Sequence, residues 1–221
     1  GKGAADALTS GSANIVLGLG AAAGFTDNSN NIAIGYAALD AANTGEDSNI
    51  AIGTSALSTE TSGSDGCIAI GHAALEDQNV ADAQNTAVGY QAGLNATTAI
   101  NSVIMGYNAV GLGVMTGDYN TVIGNSAGKD LTSGHSNVLL GADSGGNLTT
   151  SQDNIVIGRD ALVSAAAAHN YNVAIGSYAL NTENSGADGC VAIGYKALQD
   201  QNVDGAGNTA IGHQAALNLT T

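Results

Sequence analysis

The chain's 221 residues would suffice for one large globular domain, yet 32 glycines, no proline or tryptophan and only 4% aromatic residues deny it the bulky core such a domain uses. Four Lys and Arg against 19 Asp and Glu give a formal net charge of −15, a surface that repels nucleic acid and anionic membranes. No apolar run is long enough to span a bilayer, so membrane insertion within this segment is not expected.

A five-residue signature predicts a short strand each time it returns: polar, β-branched, small, aliphatic, glycine. It reads NIVLG at 14–18, NIAIG at 31–35 and again at 49–53, and CIAIG at 67–71. NTAVG (85–89), SVIMG (102–106), NTVIG (120–124) and NVLLG (137–141) follow. NIVIG (154–158), NVAIG (172–176), CVAIG (190–194) and NTAIG (208–212) complete the series. Every closing glycine lies 17 or 18 residues after the last, and Gly1 lies 17 before Gly18. Three residues past each glycine stands alanine, with Ser144 the one exception, and the next position is often leucine, as at Leu39, Leu57, Leu75, Leu162, Leu180 and Leu198. The intervening stretches, such as DAANTGEDSN, are rich in turn-forming Gly, Asn, Asp, Ser and Thr.

Repetition at this period predicts an all-β fold, a parallel β-solenoid or β-roll of about 12 coils forming a single domain over 1–221. A longer period lies on top. Residues 1–98 correspond to 124–221, and residues 49–98 match 172–221 without a gap at 33 of 50 positions, a super-repeat of seven coils.

Alternation places Ile50 and Ile52 on one face and Ala51 on the other. The expected arrangement puts the Ile and Val ladders inside, facing the plus-three alanines across a thin core. Thr86, Thr121 and Thr209 would then also face inward, which argues against a threonine-lined ice-binding surface. The polar residue that opens the signature forms a structural ladder: Asn14, Asn31, Asn49, Asn85, Asn120, Asn137, Asn154, Asn172 and Asn208. Cys67 and Cys190 replace it at equivalent positions. Seven coils at roughly 4.8 Å separate them by about 33 Å, far beyond the ~7 Å limit of a disulfide, so both are expected as buried thiols.

The signature N-[IVT]-A-[IV]-G followed by alanine resembles the head repeats of YadA-like trimeric autotransporter adhesins. The longer forms NTAIGHQAALNLTT and NIAIGYAALDAANTG are similar to repeats of phage tail-fibre and related surface proteins. The resemblance covers nearly the whole chain. It implies left-handed coils, a trimer of such rolls, an extracellular, cell-surface or virion-surface location, and adhesion to host-surface or matrix glycans and proteins. The 17- or 18-residue coil is longer than the usual head coil of about 14 in that family.

On these grounds the chain is expected to be a non-catalytic structural fibre or adhesin segment whose partners are copies of itself, in a trimer or an end-to-end filament. The second reading is a glycan- or matrix-binding module using a stripe just after the glycines: Tyr36, His72, Tyr90, Tyr107, Tyr195 and His213. A bland reading of that stripe is packing between coils. A hexapeptide-type acyltransferase is the remote third. IGYAAL passes as one of its hexads, but DAANTG and EDSNIA do not. No catalytic, cofactor or metal residues are assigned. Calcium is the one cation considered, for the turn carboxylates Glu46, Asp47, Asp65, Glu76, Asp77, Asp188, Asp200 and Asp204, read chiefly as a solvated acidic face. Asn95, Asn147 and Asn218 stand in N-x-T sequons as candidate glycosylation sites.

Overall fold

The computed structural model of the chain describes residues 1–41, 45–163, 169–182, 188–201 and 207–219. Twelve three-residue strands appear, one per signature: β1 (Ile15–Leu17), β2 (Ile32–Ile34), β3 (Ile50–Ile52), β4 (Ile68–Ile70), β5 (Thr86–Val88), β6 (Val103–Met105), β7 (Thr121–Ile123), β8 (Val138–Leu140), β9 (Ile155–Ile157), β10 (Val173–Ile175), β11 (Val191–Ile193) and β12 (Thr209–Ile211). They form one parallel sheet in strict sequence order. The register joins equivalent residues, for example Ile50 to Ile68 and Ala51 to Ala69. The chain is therefore a β-solenoid in which each coil rests on the next. Hydrogen bonds between coils continue past the strands into the turns, as from Leu57 N–H to Ala74 O at 3.0 Å and from Ser55 N–H to Tyr36 O at 2.9 Å.

Two backbone devices close so small a coil. The glycine ending each strand has φ near +140°, and its Cα faces the equivalent glycine of the next coil. A methyl group on Gly71 would stand 2.2 Å from the carbonyl oxygen of Gly89, so side chains are sterically barred there. Corners are also made by residues in the left-handed region at fixed places: the residue before the ladder position, as Ser48 and Tyr119, and the second and fourth after the glycine, as Ser55 and Leu57. That region costs an L-residue roughly 1–2 kcal/mol, yet most of these corners are not glycine.

The expected facing of the strands is reversed. The middle residue of each strand points into the core: Ala33, Ala51, Ala69, Ala87, Ile104, Val122, Leu139, Val156, Ala174 and Ala192 are fully buried. The flanking Ile and Val residues, and with them Thr86, Thr121 and Thr209, lie on the outer face, half-buried or exposed. The reason is volume. The plus-three alanine, the plus-four residue and the plus-seven residue (Phe25, Leu131, Leu148) already fill the coil, leaving room for one side chain per strand. In several of the coils the middle and plus-four residues complement each other in volume. Ala51, Ala69, Ala174 and Ala192 face coils carrying Leu57, Leu75, Leu180 and Leu198, whereas Val122 and Leu139 sit in coils with Gly128 and Gly145. A methyl group on Gly145 would come within 2.8 Å of a Leu139 methyl.

Candidate functional site

The largest unusual surface is the outer face of the sheet. Two ladders run its length, one from the first strand residue and one from the third, both mainly Ile, Val and Leu, with Thr86, Thr121 and Thr209 in the first and Met105 in the second. Ile15, Leu17 and Ile211 at the two ends are 57%, 62% and 67% exposed, and Ile70, Met105, Ile123 and Ile155 are each more than a third exposed between them. Twenty-four side chains at around a third exposure amount to on the order of 1,000 Å² of mostly apolar surface. An ordinary monomer carries a largest patch of ~300–600 Å².

The aromatic slot after the glycines lies on the outer surface of the following turn. His72, Tyr90 and Tyr107 stack along the axis, with ring centroids 5.0 and 5.3 Å apart. Tyr195 and His213 repeat this stack at 5.2 Å. The candidate stripe is thus brought together as two runs. Tyr36 stands apart from them and lines a shallow hollow of about 370 Å³ with Lys2, Asp6, Leu19 and Asp40. Burial raises the Asp40 carboxyl above its ordinary value. The stacks spend much of each ring face on the neighbouring ring. The second run carries something the first lacks: Arg159 lies 5.1 Å from the Tyr178 ring centre, and Lys196 lies 5.8 and 5.5 Å from those of Tyr178 and Tyr195.

The asparagine ladder holds the coils in register. The side-chain oxygen of Asn31 accepts from Asn49 N–H at 2.8 Å, that of Asn49 from Cys67 N–H at 2.8 Å, and that of Asn154 from Asn172 N–H at 3.0 Å. Their amides donate to carbonyls of the next turn, as Asn49 to Ser64 O and Asn120 to Gly134 O. Asn85 donates to Gln78 Oε1 and Ala99 O at 2.6 Å. Asn208 is half-buried. Cys67 and Cys190 are free, buried thiols, and burial pushes the Cys67 thiol up.

The acidic turns divide. Asp47, Asp65 and Asp188 accept backbone N–H bonds from the preceding coil, Asp65 from Asp47 N–H at 2.6 Å. Glu46, expected on a solvated face, is instead fully buried, as is Glu60. Glu46 accepts from the Asn28 amide at 2.5 Å, and Glu60 from Ser62 N–H at 2.6 Å. Burial first, and the nearby Glu46 charge, push the Glu60 carboxyl up to about 7. Glu60 did not stand out in the sequence, and the burial of Glu46 did not either, because both sit among Gly, Ser and Thr that read as open turn. His169 is fully buried; its backbone N–H donates to Ser151 Oγ at 2.9 Å and its carbonyl accepts from the Asn154 amide at 2.6 Å. Among the described residues no group of three or more His, Cys, Asp or Glu converges as a metal site, and Asp204 lies outside them. No helix among them is long and apolar enough to cross a membrane. Of the sequons, Asn95 and Asn147 are half-buried and donate to Gly111 O and Val163 O, while Asn218 is exposed. No protein-family model, curated protein or solved structure matches this chain.

Proposed function

We propose that the chain is a non-catalytic structural segment of an extracellular fibre or adhesin, assembled from copies of itself through the apolar outer face of its sheet. The observation that carries this reading is the double ladder along all twelve strands, Ile, Val or Leu at twenty of its twenty-four positions, with Thr86, Met105, Thr121 and Thr209 at the others. Burying it supplies more than the ~800 Å² per partner of a stable interface. A face running the full length of the rod favours side-by-side packing about a common axis over contact at the ends alone. Three copies is the number implied by the resemblance to YadA-like heads. The signature's Ile-Ala-Ile pattern then has a physical purpose at both faces: small residues close the chain's own core, and large ones build the shared one.

Charged substitutions on the face test this. Ile52→Glu with Ile175→Glu should leave the coil's core intact, because both residues are half-buried on its outside. The circular dichroism of the variant should match that of the parent while the assembly falls apart into single chains. A variant that stays assembled would remove the sheet face as the contact.

A further inference from the structure

We infer that the turn carrying Arg159, Tyr178, Tyr195, Lys196 and His213 is a binding site for a carboxylate-bearing saccharide. The chain has only four Lys and Arg against 19 Asp and Glu, and two of the four meet here. Arg159 lies over Tyr178, Lys196 lies between Tyr178 and Tyr195, and His213 stacks on Tyr195. Tyr178 and Tyr195 stand edge to face at 6.2 Å and 88°, so the rings form an angled wall instead of a closed stack. Arg159 is engaged with Asp160 at 3.6 Å; Lys196 has no carboxylate within ion-pair distance among the described residues. Tyr195 is 42% exposed.

The seven-coil duplication supplies an independent comparison within one chain. Residues 49–98 and 172–221 differ at 17 of 50 positions, yet at the two slots after the three glycines five of six differ: Thr54 with Ser177, Ser55 with Tyr178, His72 with Tyr195, Ala73 with Lys196, and Tyr90 with His213. Elsewhere 12 of 44 differ, and in the strands the changes are exchanges of Ile and Val. Arg159 itself corresponds to Tyr36. The same scaffold thus carries an aromatic stack without Lys or Arg in one block and an aromatic turn with both in the other. Core packing demands none of this, since these side chains lie outside the coil.

The chemistry selects the ligand. Two cations on an otherwise acidic molecule select an anion, and their ammonium and guanidinium donors suit a carboxylate. The aromatic wall adds apolar surface for the C–H face of a sugar ring, which a simple acidic peptide would leave unused. The overall charge of −15 disfavours a dense polyanion, but at physiological salt the Debye length is about 8 Å, so a short saccharide with one carboxylate per ring feels mainly the local cations. The site is shallow, and its affinity would be weak in one copy and multiplied by assembly. It does not depend on the assembly reading, because a single chain carries all five residues.

The test uses the full chain and a trigalacturonate probe, titrated in physiological salt and followed by saturation-transfer NMR of the ligand. Binding is expected for trigalacturonate and not for its methyl ester. Lys196→Ala, which installs the residue found at Ala73, should weaken binding about tenfold, the scale of one charge-assisted hydrogen bond. Lys129→Ala, removing a cation outside the site, should leave binding unchanged. Absence of binding, equal binding of the ester, or equal loss in the two variants would overturn the proposal. Equal or tighter binding of hexa-aspartate would overturn it in favour of an acidic peptide partner.

Discussion

Single residues show where the coil has no slack. The glycine that ends each strand is required by both backbone conformation and steric approach. At Gly71, φ is +138° and the carbonyl of Gly89 is 2.2 Å from where a methyl would sit. Gly71→Ala should therefore lower stability by several kcal/mol, about 3 or more, since neighbouring coils must part to admit one carbon; chemical denaturation checks this. Glu60 gives the chain a pH dependence of definite sign. Its carboxyl, ordinarily near 4.5, is raised to about 7 in the folded protein, so the folded state holds the proton more tightly than the unfolded chain. Its contribution is intact below pH about 4.5 and is lost as pH rises through about 7, with an upper bound of about 3 kcal/mol from a shift of that size. Denaturation at pH 5 and pH 8 should show Glu60→Gln reducing that loss relative to the parent. An identical pH profile in the variant would contradict the assignment.

The element is a strand of only three residues, and its shortness separates what was legible in the sequence from what was not. Strand positions, parallel order and register follow from the period, because equivalent residues recur at every 17 or 18. The asparagine ladder was equally legible as the polar residue opening each strand. Facing was not. Ile-Ala-Ile satisfies alternation with either set inside, and the decision rests on the volume of the turn residues that fill the coil. The left-handed corners were hidden too, since Ser48, Gln84, Leu75 and Lys196 carry none of the glycine or asparagine signal such backbone usually leaves. Volume complementarity across the coil leads to a coupling prediction. Leu139→Ala should cost about 2–4 kcal/mol by leaving a cavity. Gly145→Leu alone should also destabilise, because the added side chain collides with Leu139. Together they reproduce the Ala-with-Leu pairing of Ala51 and Leu57, so the double variant should be more stable than the sum of the single losses.

At the scale of the whole molecule, twelve coils at roughly 4.8 Å make a rod about 55 Å long with one side apolar and the turns polar and acidic. The apolar side was missed in the sequence because its residues were assigned to the interior. The structure moves them outward, and that move is what gives the self-assembly proposal its surface. The turns remain free to carry chemistry that differs from coil to coil, as the cationic turn of the second block does. An assembly that covers the apolar side would array those turns around and along a common axis. The most direct test is the mass of the chain in solution by light scattering. A discrete particle near three times the 21.5 kDa of one chain is predicted. A stable, non-aggregating species of 21.5 kDa at micromolar and higher concentrations would contradict it, because the apolar face would then stand uncovered in water.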